Sequence, residues 1–333
     1  MPSISIRYLN GQDIETLAMT DAEILEAIET SLRAQGEQQT VIEPRMHLIP
    51  DPAFHGHFNV LRGYIAPMGV AGVKIVGDYE HNYQQGLPSE FAMLNLMDAK
   101  TGMPQAILNA TAITDMRTGA LTAVGAKYLA PSQPRVLGHI GARGTAYWNV
   151  RLLNSLFDFD EIRIHSRRPE SREAFAERLE RDLGKPIIVT ESWQACLEGA
   201  DILVEASRLP APEPLFKTGW IKPGALVIPY GTMSTVEDDI TDRMDKIVVD
   251  DWGQCLIGPF GCLRRHVDSG KITRETIHGE MGDICAGKIP GRESDAETIL
   301  FWHRGLSTSD IALGHEMLAK AARLGIGREL PYA

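Results

Sequence analysis

Arg135-Val-Leu-Gly-His-Ile-Gly-Ala-Arg-Gly-Thr-Ala146 is a short apolar run that breaks into glycines, and a helical pattern follows it over Tyr147 to Leu156. A strand, a tight turn and a helix with free N-terminal amides is how a dinucleotide-binding unit opens, with the pyrophosphate on those amides. About twenty residues on, Glu161-Ile-Arg-Ile-His-Ser166 reads as the second strand, and Arg167-Arg168 follow it directly. A glycine cluster alone says little; the rhythm after it carries the reading. Glu170 to Leu183 is a charge-paired helix, Pro186 to Thr190 a third strand, and Ser192 caps a short helix reaching Gly199. Asp201 to Ser207, Ala225 to Tyr230 and Lys246 to Asp250 then read as strands four to six. Strands alternating with helices at this spacing imply a doubly wound parallel sheet.

The chain before Arg135 has another texture. Ser3 to Leu9 alternates like an edge strand, and Thr20-Asp-Ala-Glu23 resembles a capping box ahead of Ile24, Leu25, Ile28 and Leu32 at helical spacing. Short strands are expected at Arg45 to Ile49, Phe58 to Ile65, Val70 to Val76, Phe91 to Asp98 and Gln105 to Asn109, in a largely antiparallel sheet. Ala112 to Tyr128 reads as a connecting helix. A last helix over Ser307 to Gly325 is expected to return to the first domain, because the nucleotide domain is complete without it. The expected fold class is therefore α/β, a Rossmann doubly wound domain over 126–307 plus an α+β domain. The latter spans 1–125 and is completed by 308–333.

Composition narrows the function classes. With 33 Lys and Arg against 44 Asp and Glu the formal net charge is −11, which argues against nucleic acid or an anionic membrane as partner. No apolar run approaches the roughly 18 residues of a membrane span, and no signal-peptide pattern opens the chain, so a cytoplasmic enzyme is expected. Cys196, Cys255, Cys262 and Cys285 show no C-x-x-C pairing and read as reduced thiols. No histidine pair has ligand spacing, so no metal is expected.

Three basic residues stand out: Arg45 after Pro44, Lys74 in the apolar run Gly72-Val-Lys-Ile-Val76, and Arg117 in Thr114-Asp-Met-Arg-Thr-Gly-Ala120. A buried cation is costly unless paired, so a convergent set would need an anion such as a substrate carboxylate. The bland alternative pairs Lys74 with Asp78 and Arg117 with Asp115. At the end of the second strand, His165-Ser166-Arg167-Arg168 offers two guanidiniums and no acid until Glu170, which favours NADP over NAD. Two exposed arginines on a surface loop would look the same.

Several motifs in order carry a resemblance. Gly72-Val-Lys74, Asn82 with Gly86-Leu-Pro88, Asp98 to Gly102, Thr114-x-x-Arg-Thr-x-Ala120 and Gly279-Glu-Met-Gly-Asp-Ile-Cys-Ala-Gly-Lys-Ile-Pro-Gly-Arg292 resemble the ornithine cyclodeaminase/mu-crystallin family. The resemblance spans nearly the whole chain. It implies a homodimer whose N-terminal domain supplies the substrate site and the dimer contact. It also implies that Arg45, Lys74 and Arg117 hold a substrate carboxylate, with Asn82 nearby and Asp78, Tyr79 and His81 lining the same pocket. Expected cofactor contacts are Thr114, Gly141, Ala142, Arg143, Gly144, Thr145, Ala146, Ser166, Arg167, Arg168, Ser207, Gly231 and Thr232. Two departures are informative. Arg143 stands where the family has a second glycine, so either the turn shifts by one residue or the arginine touches the pyrophosphate. Tyr230-Gly-Thr-Met-Ser-Thr235 lacks the aspartate that cyclodeaminases use as acid/base. The expected activity is thus NAD(P)H-dependent reduction of a carboxylate-bearing imine, or amino-acid dehydrogenation in reverse, with Lys74 and His303 as candidate catalytic groups. A cyclodeaminase-type lyase is the alternative, and a non-catalytic binding protein the third reading.

Overall fold

A computed structural model describes residues 3–207, 209, 212–231, 233, 235–256 and 263–333. The chain falls into two compact units, Met1–Arg117 with Leu306–Ala333, and Thr118–Gly305.

The first unit is built on an eight-stranded sheet. Its strands are β1 (Ser5–Leu9), β2 (Thr40–Ile42), β3 (Met46–Leu48), β4 (Gly56–Ile65), β5 (Val70–Tyr79), β6 (Glu90–Asp98), β7 (Pro104–Asn109) and the C-terminal strand Arg328–Pro331. The central meander β4–β5–β6–β7 is antiparallel, and β1 joins it parallel to β7. Arg45 lies just before β3 rather than inside it. Register fixes what each face carries. Leu61, Lys74, Leu94 and Leu108 stand in one row on the face covered by the helix Ser307–Leu324. That helix comes close enough that a Cβ on Gly314 would meet Leu94 Cδ2 at 2.4 Å. The helix Asp21–Gly36 packs beside it, started by the Thr20/Glu23 capping box and burying Ile24, Ile28 and Leu32. The opposite face carries the row Met46, Val60, Ile75 and Met93 and the row Leu48, Phe58 and Phe91. It is left open: Met93 is 44% and Phe91 51% exposed.

The second unit is a fully parallel sheet of β8 (Val136–Ile140), β9 (Glu161–His165), β10 (Ile188–Val189), β11 (Ile202–Glu205), β12 (Leu226–Pro229), β13 (Lys246–Val249), β14 (Gly279–Glu280) and β15 (Ile299–Trp302). The strand order is β10-β9-β8-β11-β12-β15-β13-β14. Chain order reverses between β8 and β11, the switch point at which open α/β sheets bind their ligands. Two strands depart from expectation. β15 separates the fifth and sixth expected strands, because a four-residue apolar run has no period to betray it. β14 is only two residues long. The helices Ala146–Leu156 and Pro169–Leu183 match expectation within one residue. No helix among the described residues is long and apolar enough to cross a membrane.

Candidate active site

Lys74 and Arg117 both converge on Asp310, in the first turn of the helix Ser307–Leu324: Lys74 Nζ donates to Asp310 Oδ1 at 2.6 Å and Arg117 Nε donates to the same oxygen at 2.9 Å. Lys74 also donates to Thr114 Oγ1 at 3.1 Å. The three charged groups are buried, with Asp310 0% exposed. Burial depresses the Lys74 ammonium to about 8; Asp310 opposes this, while Arg117 and Arg45 add to it by repulsion. Burial also pushes the Asp310 carboxyl up, but Arg117 and Lys74 outweigh it and leave it below the ordinary range. Arg45 thus belongs to the same electrostatic cluster. Two cations share one carboxylate and a third acts on Lys74, which leaves a surplus of positive charge that suits an anionic ligand.

Thr114, expected at the cofactor, stands against Lys74. Asn82 Nδ2 donates to Pro88 O at 2.8 Å and closes the 82–88 loop. Asp78 is already four strand residues beyond Lys74, about 13 Å at ~3.3 Å per residue, and Asn82 lies further along the chain. Among the described residues, no group of three or more His, Cys, Asp or Glu could hold a metal.

In the second unit, the carboxyl ends of β8, β9, β11 and β12 gather the other expected residues. Gly141 has φ 108°, and a Cβ there would meet Ala206 O at 2.9 Å, so only glycine fits between β8 and the chain leaving β11. Gly144 takes the left-handed turn at φ 56°, which puts the second glycine of the loop one residue late, as the shifted-turn alternative required. Arg143 is exposed, its guanidinium 3.4 Å from Ser171 Oγ. Ala142 is partly buried, Ala146 is fully buried, and Thr145 precedes the helix Ala146–Leu156, so helix amides face the turn. Arg167 and Arg168 are exposed just beyond β9, and Ser166 Oγ donates to Arg168 O at 3.2 Å. Ser207 is held by the buried Glu205, whose carboxyl burial raises to about 7. Gly231 has φ 73° and donates its N–H to His303 O at 3.0 Å. Thr232 lies outside the described residues. A close backbone approach that only glycine permits, helix amides and two guanidiniums fit a dinucleotide.

His303 is 0% exposed. Its Nε2 lies 2.9 Å from Thr122 Oγ1, and its ring stacks on Tyr230 at 4.9 Å. Phe301 also flanks the ring, at 5.2 Å, so the imidazole is enclosed by Thr122, Tyr230 and Phe301 rather than standing in an open loop. Behind the glycine turn runs a polar network that sequence reading missed. His139, kept neutral by burial with its pKa down at about 4, donates Nδ1–H to Gly141 O at 3.1 Å. Asn149 Nδ2 donates to His139 Nε2 at 3.1 Å and to the Tyr230 hydroxyl at 3.2 Å, and that hydroxyl also meets Thr145 Oγ1. A tyrosine closing the apolar run Val-Ile-Pro-Tyr230 was the available signal. The loop after β12 offers no acid before Glu237, which is engaged by Thr218 N at 2.9 Å and Lys217 Nζ at 3.0 Å.

Residues 7–322 match the ornithine cyclodeaminase/mu-crystallin family. The chain belongs to that family. It is 29% identical over 328 residues to alanine dehydrogenase of Archaeoglobus fulgidus, covering 97% of this chain and 98% of that one. Among solved structures, Δ1-pyrroline-2-carboxylate reductase of Thermococcus litoralis in complex with NADH and L-proline superposes with a TM-score of 0.90 at 30% identity, over 98% of this chain and 100% of that one. An archaeal alanine dehydrogenase dimer with bound NAD does so with a TM-score of 0.90 at 28% identity, over 99% of this chain and 100% of that one. The family and the two-domain α/β fold with a Rossmann unit agree with what the motifs implied.

Proposed function

We propose that this member of the family is an NAD(P)H-dependent reductase of imino acids, working in reverse as an L-amino-acid dehydrogenase. The observation that carries the reading is the convergence of Lys74 and Arg117 on the one buried carboxylate of Asp310, with the charge of Arg45 near enough to act on Lys74. The alanine dehydrogenase and the Δ1-pyrroline-2-carboxylate reductase among its relatives act on small amino or imino acids, which supports it. A bound reduced nicotinamide supplies the hydride. The protein's own share is to hold the α-carboxylate on Arg45 and Arg117, which makes the encounter effectively unimolecular, and to keep a proton at Lys74 Nζ for the imine nitrogen. His303 packs under this reading as a support on Tyr230. The lyase reading is weaker, because the loop after β12 has no carboxylate and Glu237 is already engaged. Ammonia release from ornithine or lysine with NAD present, without net nucleotide change, would establish the lyase instead.

Lys74 sets the expected pH dependence. Imine reduction needs the ammonium form, so kcat/KM falls as pH rises through about 8, and amino-acid oxidation rises over the same interval. A profile measured in both directions that stays flat to pH 9.5 would remove Lys74 from the proton path.

For the cofactor, we propose NADP(H) over NAD(H), on the exposed Arg167 and Arg168 beyond β9 with no acid before Glu170. Replacing both by alanine is expected to lower the NADPH/NADH ratio of kcat/KM by at least about 100-fold, since each of the two charge-assisted contacts is worth ~1.5–3 kcal/mol. An unchanged ratio would mean that the two arginines are merely exposed.

We further propose a homodimer through the open face of the first sheet. The row of Met46, Val60, Ile75 and Met93 is apolar, its two methionines exposed and its two middle residues half-buried, and with the exposed Leu48 and Phe91 beside it this goes beyond what single surface hydrophobics explain; the archaeal alanine dehydrogenase relative is a dimer. Cys196 is a buried free thiol, which supports action in the cytoplasm.

A further inference from the structure

The charge cluster of the first unit is matched on one side and unmatched on the other. Asp310 Oδ1 takes both cations, whereas Asp310 Oδ2 is buried with no hydrogen-bond partner. Arg117 gives its Nε to the same aspartate, and its Nη1 is likewise buried without a partner. Unmatched polar atoms of this kind are costly in a desolvated place and call for a ligand that supplies both halves. One needs a donor and the other an acceptor, on groups held together by a shared ion pair. An α-amino acid, or an α-imino acid once its nitrogen is protonated, presents that combination, an N–H and a carboxylate oxygen on groups attached to one carbon.

We propose that Asp310 Oδ2 receives the N–H of the substrate's imine or amine nitrogen while Arg117 Nη1 receives an oxygen of its α-carboxylate. The inference rests on the imino-acid reading above, and it supplies the acidic group that the loop after β12 lacks. Asp310 stays ionised, because Arg117 and Lys74 outweigh the burial that raises its carboxyl. It therefore accepts a hydrogen bond and does not donate the proton. Lys74 Nζ carries three N–H groups, of which Asp310 Oδ1 and Thr114 Oγ1 take two. The third is free to pass its proton to the lone pair of the imine nitrogen. The positive charge then moves from Nζ to the substrate nitrogen, Lys74 is left as the neutral amine, and solvent reprotonates it after the product leaves. Asp310 faces a cation before and after the transfer, so its attraction strengthens as charge builds on the nitrogen. The charged groups facing Lys74 are Asp310 from the last helix, Arg117 from the helix Thr111–Leu129 and Arg45 from the segment before β3. Arg45 alone among them is partly exposed.

The test is equilibrium binding to the full-length protein, with L-proline against cyclopentanecarboxylate and L-alanine against propanoate. Each pair shares a carboxylate and differs in the nitrogen. Asp310→Asn is expected to weaken the better-bound amino acid by 10-fold or more and to leave its nitrogen-free partner within about 3-fold. Removing the carboxylate also takes away the group that sustains the Lys74 ammonium, so the alkaline limb of kcat/KM moves to lower pH. Equal weakening of acid and amino acid overturns the proposal, as does wild-type protein that reduces an imine yet gains nothing in affinity from the nitrogen. If no imine is reduced at all, the imino-acid reading itself fails, which is a different result. Retained nucleotide fluorescence and an unshifted melting curve establish that a variant is folded. Should Asp310→Asn fail that check, Asp310→Glu serves. It keeps the charge, displaces Oδ2, and is expected to lose the preference for the amino acid while still binding the acid.

Discussion

Lys74→Met lowers kcat/KM for imine reduction by about 10³-fold, within the usual range for loss of a positioned proton donor. It also abolishes the alkaline limb near pH 8. The methionine keeps most of the lysine's volume in the row of Leu61, Leu94 and Leu108. Asp310 retains Arg117 at 2.9 Å, so the substitution does not strand a buried carboxylate. That asymmetry predicts a folded protein with near-normal nucleotide affinity and a chemical defect. Arg117→Met removes a cation from the same aspartate and a carboxylate ligand as well, so KM rises in addition to the fall in kcat. Steady-state kinetics on each variant separates the two patterns. A Lys74→Met enzyme within 10-fold of wild type would leave the proton with another group.

Ile75→Asp with Met93→Asp turns a dimer into monomers. The two residues face each other across β5 and β6 on the open side of the sheet, away from the row of Lys74. Two carboxylates placed in an apolar contact each carry a desolvation penalty of several kcal/mol, and ~1.4 kcal/mol is a tenfold change in the dissociation constant. A shift of at least about 10³-fold follows. Sedimentation equilibrium of wild type and variant reads it directly. A wild-type monomer would overturn the proposed dimer, and a variant that stays dimeric would place the contact elsewhere.

Much of this was legible in the chain. The break from Val136-Leu-Gly-His-Ile140 into Gly141 located the parallel sheet, and the shift in texture before Arg135 located the second one. Arg45, Lys74 and Arg117 stood out because basic residues in apolar runs are unusual. Asp310 did not stand out. An acid in the first turn of a helix is the ordinary placement opposite the helix dipole, and nothing local marks it as buried. Its burial arises from close helix–sheet packing at Gly314, and its partner Lys74 is 236 positions away. The surroundings of His303 were hidden for the complementary reason. Loop histidines are commonly exposed, whereas this one is enclosed by Thr122, Tyr230 and Phe301. Ile299–Trp302 escaped notice as a strand because an apolar run of four has neither helical nor alternating period.

The most direct measurement is the fate of a label. Reduced nicotinamide nucleotide carrying deuterium at C4 is supplied, in separate reactions with each face labelled, with Δ1-pyrroline-2-carboxylate and with 2-oxo acids plus ammonia or methylamine. The account predicts that one labelled face gives an amino acid one mass unit heavier, with the deuterium at the α-carbon, in step with nucleotide oxidation. Nucleotide oxidation without label in the amino acid, or amino acid formed without net nucleotide change, would contradict it.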